Sequence, residues 1–124
     1  MKRLTLDCYW GSSTKFITDD ASGTVSLTFN DDEDEVAYLW GLVVEEQSRK
    51  QGLGSLLMDA AESYAREKGY EYTKLCAELR TPWIIDWYER RGYKKIDMTT
   101  YPDKEERENV VYMYKELYKI NEKS

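Results

Sequence analysis

The segment Arg49-Lys50-Gln51-Gly52-Leu53-Gly54 has the residue types of an anion-binding turn. It lies between an apolar strand-like run and an amphipathic helical pattern, so it should connect a strand to a helix. Glycines let the backbone approach a ligand, and the first amides of a helix, here up to Ser55, have no partners inside the helix. These N–H groups, the helix dipole and two cationic side chains favour a pyrophosphate. A tight connection that binds nothing would show the same glycine spacing.

Two common phosphate motifs are excluded by the residues that follow this turn. A dinucleotide-binding fingerprint requires a third glycine at position 57, where the chain has Leu57. A P-loop requires Gly-Lys-Ser/Thr, whereas Gly54 is followed by Ser55 and Leu56. The ligand of this turn must therefore be inferred from the rest of the chain.

The composition removes several classes of chemistry. With no histidine, the chain cannot use Ser-His-Asp or Cys-His catalysis and lacks the commonest zinc ligand, so no metal is expected. Cys8 and Cys76 have no metal-ligand spacing and are interpreted as small buried hydrophobes. A net charge of −6 argues against nucleic acid as a partner. The same charge maintains solubility and, more weakly, favours a cationic acceptor molecule.

The chain is expected to be a single domain over residues 1–124, in which residues 1–35 are a short strand-rich part and residues 118–124 a frayed tail. No apolar stretch approaches the roughly 20 residues that cross a bilayer, and Met1 to Asp7 lacks the apolar run of a secretory signal. A cytoplasmic protein without a membrane partner is therefore expected. Eleven tyrosines and four tryptophans allow an aromatic homodimer interface without demonstrating one.

The N-terminal third is predicted to be β-rich. Leu4, Leu6 and Cys8 alternate with polar residues, which indicates a half-buried strand. Turns are predicted at residues 11–13 and 19–23, and a strand at residues 24–29. The acidic run at residues 31–35 is interpreted as a solvated hairpin tip, with recruitment of a basic substrate as the alternative.

The centre of the chain has the pattern strand, helix, strand. The run from Val36 to Val44 is apolar on both faces, with residues 36, 38, 40, 42 and 44 on one of them, so this strand should be central. The helix after Gly54 should bury one apolar face, expose another and end at Gly69. The buried face is predicted to hold Leu56, Leu57, Ala60, Ala61, Tyr64 and Ala65, and the exposed face Asp59, Glu62, Arg66 and Glu67. A strand from Lys74 to Leu79 should then run parallel to the first one.

Pro82 suits the first turn of a second helix, from Trp83 to about Arg91. Its apolar side is predicted to consist of Trp83, Ile84, Trp87 and Tyr88. Strands are predicted from Tyr93 to Met98 and from Asn109 to Leu117. The predicted fold class is α/β (α+β), a mixed and mostly antiparallel sheet with a central parallel βαβ unit.

Three motifs in this order resemble the GNAT superfamily of N-acetyltransferases. They are Leu42-Val43-Val44 at a strand end, the turn at residues 49–54, and Trp87-Tyr88-Glu89-Arg90-Arg91-Gly92-Tyr93 after the second strand. The resemblance covers roughly residues 36–117. It implies the GNAT-like acyl-CoA N-acyltransferase fold and transfer of an acetyl group from acetyl-coenzyme A to an amine.

The resemblance also implies roles for individual residues. The backbone of Leu42, Val43 and Val44 would pair with the pantetheine arm, and the amides around residues 50–55 would hold the pyrophosphate. Tyr88 would be the general acid that protonates the leaving thiolate; the alternative is that it only packs beside Trp87. Tyr38 and Trp40 could line the acceptor pocket or belong to the core.

Three departures from the family pattern bear on the acceptor side. Cys76 stands where some members have a glutamate base. Glu78 lies on the same face of the strand and is the candidate to replace that base. The competing interpretation is that Glu78 only pairs with Arg80. Thr81 replaces an asparagine that members often have and is assigned one hydrogen bond to the coenzyme or a helix-cap role. No helical periodicity occurs in residues 1–35, where members usually have helices that roof the acceptor site. That site would therefore be open or completed by a second subunit.

A catalytically silent acyl-coenzyme A-binding regulatory module and a scaffold with an empty turn are the alternatives to an enzyme.

Overall fold

The computed structural model describes residues 1–30, 35–49, 51–96 and 110–118. The predicted hairpin tip (except Glu35), Lys50, Met98, Asn109 and residues 119–124 of the tail lie outside them. The strands are Lys2–Cys8 (β1), Gly11–Ile17 (β2), Gly23–Asn30 (β3), Val36–Val44 (β4), Tyr72–Glu78 (β5), Lys94–Lys95 (β6) and Val110–Glu116 (β7). The helices are Leu53–Glu67 (α1) and Pro82–Arg90 (α2), with one 3₁₀ turn at Glu46–Ser48.

The strands form one seven-stranded sheet in the order β1-β2-β3-β4-β5-β7-β6. All neighbouring strands pair antiparallel except β4 and β5, which are parallel. This confirms the predicted fold class. Residues 1–30 contain no helix, as the sequence predicted.

Both helices pack on the same face of the sheet. Leu57, Met58 and Ala61 of α1 are fully buried against β2, β3 and β4, and Ile85 and Tyr88 of α2 join the same core. Burying a large aliphatic side chain contributes about 1.5–3 kcal/mol to the free energy of unfolding, so the buried side chains of α1 stabilise its packing on the sheet. The strand side chains of the core are Phe16, Val25, Leu27, Phe29, Ala37, Leu39, Leu75, Ala77 and Met113.

The opposite face of the sheet is open within the described residues. Leu4 and Leu6 are 60% and 68% exposed, so their predicted half-burial is wrong: they pair with Lys15 and Ser13 on the face that neither helix covers. The turn predicted at residues 11–13 is also wrong, because Gly11 already belongs to β2. A Cβ at Gly11 would lie 2.0 Å from the carbonyl oxygen of Phe29, so this glycine serves close strand packing.

A β-bulge at Gly41 changes the predicted faces of β4. Thr24 pairs with Val43 and Ser26 with Trp40, so Gly41 and Leu42 together oppose one residue of β3. Gly41 has a φ of 68°, the left-handed region that glycine adopts without strain. Because the extra residue shifts the alternation, Leu42 and Val44 pack on the core, and the prediction that they share a face with Trp40 is wrong.

The helices differ from their predictions in two respects. Leu56 and Trp83 were assigned to buried faces but are 52% and 64% exposed. Glu62 was assigned to the exposed face of α1 but is buried, because Arg91 and Tyr93 of the connection between α2 and β6, together with Lys115 of β7, enclose it. The bounds of α1, α2, β5 and β6 otherwise shift by one to three residues, as element ends commonly do.

Candidate functional site

The parallel strands β4 and β5 separate towards their C-terminal ends. They pair only through Val36↔Tyr72, Ala37↔Thr73 and Tyr38↔Lys74. Beyond these pairs a cleft of about 200 Å³ opens. Its lining comes from β3, β4, β5 and both helices: Val25, Leu39, Trp40, Gly41, Leu42, Met58, Leu75, Cys76 and Tyr88. The C-terminal ends of parallel strands are a preferred position for ligands in α/β sheets.

The end of β4 presents backbone to this cleft. Leu42, Val43 and Val44 lie beyond the last pair with β5, while β3 pairs with the other side of β4. No strand among the described residues pairs with the β5-facing edge of this segment. An extended ligand can bind such an edge as an added strand. The pairing of these three residues with a pantetheine arm, which the resemblance implies, stays a prediction.

The predicted turn forms the N-terminus of α1. Gly52 has a φ of 77° and is the N-cap, with no side-chain hydrogen bond to the first amides. The first intrahelical bond runs from Leu56 N to Gly52 O at 3.0 Å, which leaves the amides of Leu53, Gly54 and Ser55 without a partner within the described part of the chain. The first turn contains no acidic residue, so nothing there opposes an anion.

Two side chains connect this turn to its surroundings. Arg49 donates from Nε to the carbonyl oxygen of Val44 at 3.0 Å, which holds the start of the turn at the end of β4. Trp87 of α2 lies against Gly54. Gln51 is exposed, and Lys50 lies outside the described residues.

Tyr88 lies at the inner wall of the cleft. It is 7% exposed, and its ring contacts those of Trp87 and Tyr93 at centroid distances of 5.2 and 5.7 Å. Its hydroxyl makes no hydrogen bond to the part of the chain described here. Burial, with a smaller contribution from Cys76, raises the pKa of Tyr88 to about 12. The phenol is therefore protonated near neutral pH and can donate a proton.

Cys76 lines the same cleft from β5 and is exposed, so its predicted burial is wrong. The physical reason is that β5 alternates Thr73, Leu75 and Ala77 into the core, which places Cys76 on the other face. Partial burial and the nearby Glu78 raise the pKa of the Cys76 thiol. Cys8, the other cysteine, is only half-buried.

Of the remaining predicted residues, only Trp40 lines the cleft. Glu78 is exposed and pairs with Arg80 at 2.8 Å, which is the competing interpretation raised by the sequence. Thr81 is the N-cap residue of α2 but makes no capping hydrogen bond through its side chain, because its Oγ1 instead donates to Glu78 O at 3.3 Å. Trp40 lines the cleft and donates from Nε1 to Thr28 at 2.8 Å, whereas Tyr38 is not part of the lining.

Sequence reasoning missed the apolar wall of the cleft. Leu39, Met58 and Leu75 line it, but their spacing indicates only that they are core residues. The signal that identifies them is the position at which β4 and β5 stop pairing, which is a tertiary property.

The described residues contain neither a candidate metal site nor a helix able to span a membrane. They contain no group of three or more His, Cys, Asp or Glu side chains that could hold a metal ion. Over the same ranges no helix combines the length and apolar character needed to cross a membrane.

The model of the acetyltransferase (GNAT) family matches residues 3–93. The chain belongs to the GNAT family. This GNAT chain has no match among curated proteins.

Solved structures share its fold. A GNAT-family acetyltransferase from Staphylococcus aureus MU50 is 17% identical with a TM-score of 0.69, and the match covers 87% of this chain and 69% of that one. A GNAT acetyltransferase from Elizabethkingia anophelis with acetyl-CoA bound is 17% identical with a TM-score of 0.66, covering 86% and 76%. N-acetylglutamate synthase from Neisseria gonorrhoeae, complexed with coenzyme A and N-acetyl-glutamate, is 18% identical with a TM-score of 0.66, covering 86% and 26%.

Proposed function

We propose that this GNAT chain transfers an acetyl group from acetyl-coenzyme A to a primary amine of a small molecule or peptide. The observation that carries the proposal is the position of Tyr88. Tyr88 lines the cleft between β4 and β5, and its hydroxyl makes no hydrogen bond to the described residues. Helix α1, whose N-terminus has no side-chain cap, lines the same cleft through Met58. A proton donor, an extended binding edge and an anion site thus occur together. The bound acetyl-CoA of the Elizabethkingia structure, which has the same fold, supports this choice of donor.

The donor fits three features of the site. The edge of Leu42, Val43 and Val44 would accept the pantetheine arm as an added strand. The amides of Leu53, Gly54 and Ser55, helped by Gly52, would bind the pyrophosphate. Arg49, Lys50, Gln51 and Thr81 are the side chains that we assign to the same donor site.

The reaction requires the leaving sulfur to gain a proton and the attacking amine to lose one. As the amine nitrogen forms its bond to the acetyl carbon, the carbon–sulfur bond breaks, and Tyr88 donates a proton to the departing sulfur. A positioned general acid of this kind typically contributes ~10²–10⁴ in rate. Glu78 is our candidate for accepting the proton of the amine, directly or through a water, since it lies on the same strand face as Cys76.

The acceptor is proposed to approach from the open face of the sheet. A groove of about 590 Å³ on that face shares Trp40 and Gly41 with the cleft. A molecule in this groove would reach the cleft at these two residues without crossing the core. The net charge of −6 is the reason to include cationic amines among the acceptors.

The second candidate function is a catalytically silent acyl-coenzyme A-binding regulatory module. Two observations favour it. Cys76 stands at the position of the family's glutamate base. Glu78, the only carboxylate among the described residues of β5, is already paired with Arg80. Such a module would bind the donor and release no thiol.

One experiment separates the two functions. Isothermal titration with acetyl-CoA measures donor binding, and a thiol-release assay with a panel of polyamines, aminoglycosides, amino acids and peptide N-termini measures transfer. Binding with release on at least one amine supports the enzyme. Binding with no release on any amine supports the silent module, and absence of acetyl-CoA binding contradicts both.

A further inference from the structure

Glu62 is a buried carboxylate at the centre of a polar cluster between α1, α2 and β7. It is 4% exposed and accepts hydrogen bonds from Lys115 Nζ at 2.8 Å, Arg91 Nη2 at 3.3 Å and Tyr93 Oη at 2.9 Å. Arg91 also pairs with Asp59 at 2.7 Å, so the two cations face two carboxylates and their charges balance. A buried carboxylate with these partners holds them in place, because moving one would leave an uncompensated charge in the interior.

The hydroxyl of Tyr93 is held from two sides. Glu62, a carboxylate, can only accept, so the single hydroxyl proton of Tyr93 points to it. The contact of 2.9 Å between Tyr93 Oη and Thr73 Oγ1 must then be donated by Thr73. Tyr93 and Thr73 are almost completely buried, and burial followed by the charge of Glu62 raises the pKa of Tyr93. The arrangement therefore persists at every pH near neutrality.

The ring of Tyr93 lies edge-on to the ring of Tyr88. Their planes meet at 63° with centroids 5.7 Å apart. Since the Tyr88 hydroxyl has no hydrogen bond to the described residues, ring packing is what sets its direction. Tyr93 and Trp87 are its aromatic neighbours.

We propose that Tyr93 is a positioning residue: Glu62 and Thr73 hold its hydroxyl, and its ring keeps the Tyr88 hydroxyl directed into the cleft. The proposal rests on the acid role of Tyr88 given above. The polar cluster in the core thereby acts on the reaction through one aromatic contact, although it does not line the cleft.

The first test is Tyr93→Phe, which keeps the ring and removes both hydrogen bonds. With the amine that gives the fastest thiol release, kcat should fall roughly 3- to 30-fold, less than the ~10²–10⁴ expected for loss of the acid itself. The KM for acetyl-CoA should stay within about twofold, because the donor site is elsewhere. Tyr118→Phe is the matched control: it removes a tyrosine hydroxyl bond of 2.7 Å to Arg66 O, and Tyr118 does not line the cleft. Its kcat should equal that of the wild type.

A second pair of variants keeps the proposal testable if Tyr93→Phe does not fold. Thr73→Val removes the donor to Tyr93 at nearly constant volume, and Thr73→Ser retains it. We expect Thr73→Val to lower kcat and Thr73→Ser to restore it. Equal kcat for the two folded variants would overturn the proposal.

The decisive measurement is the double variant Tyr88→Phe/Tyr93→Phe. If Tyr93 acts through Tyr88, the double variant should have the kcat of Tyr88→Phe alone. A loss equal to the product of the two single losses would overturn the positioning role. Full turnover by Tyr88→Phe would instead contradict the acid role itself, and a slow Tyr88→Phe beside a fully active Tyr93→Phe would contradict only the positioning role.

Discussion

The ring of Trp87 packs against Gly54, so that α2 contacts α1 at the turn for which we propose anion binding. A Cβ placed on Gly54 would lie 3.5 Å from Cζ2 of Trp87, an ordinary van der Waals distance. A small side chain is therefore accommodated at this position. A long one would extend past the indole at the start of the helix.

This contact leads to a prediction for the donor site. Gly54→Glu should abolish acetyl-CoA binding, because it adds bulk and a negative charge where the pyrophosphate would bind. Gly54→Ala should bind nearly as the wild type, and Gly54→Gln should separate bulk from charge. Isothermal titration of the three folded variants checks the prediction, and wild-type affinity in Gly54→Glu would contradict it.

For the general acid, Tyr88→Phe should lower kcat by ~10²–10⁴ and leave the affinity for acetyl-CoA unchanged. The reason is that a phenylalanine ring preserves the contacts with Trp87 and Tyr93 but has no proton to donate. Steady-state thiol release and titration with acetyl-CoA are the measurements. Unchanged turnover would leave Tyr88 only its packing role.

For the proposed base, Glu78→Gln should lower kcat/KM about tenfold or more at neutral pH, since the amide cannot accept the proton of the amine. Glu116→Gln is a suitable control, because Glu116 is also an exposed glutamate on a strand of the same sheet. The comparison is made with the best acceptor of the panel. If both variants keep wild-type kcat/KM, Glu78 is only the partner of Arg80.

The bulge of β4 should matter for donor binding. Gly41→Ala would meet no atom within 4 Å, so its cost of about 1–2 kcal/mol is that of a left-handed backbone. Gly69→Ala has the same cost at the end of α1, with a φ of 90° and an equally open environment. Both should lower the free energy of unfolding similarly, but only Gly41→Ala should weaken acetyl-CoA binding, because Gly41 precedes the edge of Leu42–Val44. Equal affinities of the two variants would contradict this.

Alkaline pH should destabilise the fold through buried tyrosines. The pKa is raised to about 12 for Tyr88 and is also raised for Tyr93, mainly by burial, whereas an unfolded tyrosine titrates near ~10. The tyrosines of the unfolded state therefore lose their protons first as the pH rises. Their contribution to the free energy of unfolding is fully present below pH ~10 and falls above it. For Tyr88 the loss at pH 12 is about 2–3 kcal/mol. Thermal unfolding between pH 7 and 11 measures this. The decline should be shallower in Tyr93→Phe than in the wild type; equal slopes would contradict the assignment to Tyr93.

Much of the framework followed from the order of the residues. The strand Val36–Val44 was predicted with the bounds that it has, and the parallel βαβ unit was predicted from the strand, helix, strand pattern. The turn before α1 was located from glycine spacing and cationic residues. These features are local, since periodicity and turn chemistry act within a few residues.

The tertiary structure decided which faces are buried and what meets at the cleft. Leu4 and Leu6 are exposed because no described element covers their side of the sheet, and Glu62 is buried because Arg91, Tyr93 and Lys115 converge on it from distant parts of the chain. The sequence by itself determined the strand, turn and helix of the proposed donor site. Only the folded chain brought Tyr88 to the opening between β4 and β5. The opening depends on where these two strands stop pairing, and their paired residues are 36 positions apart in the chain.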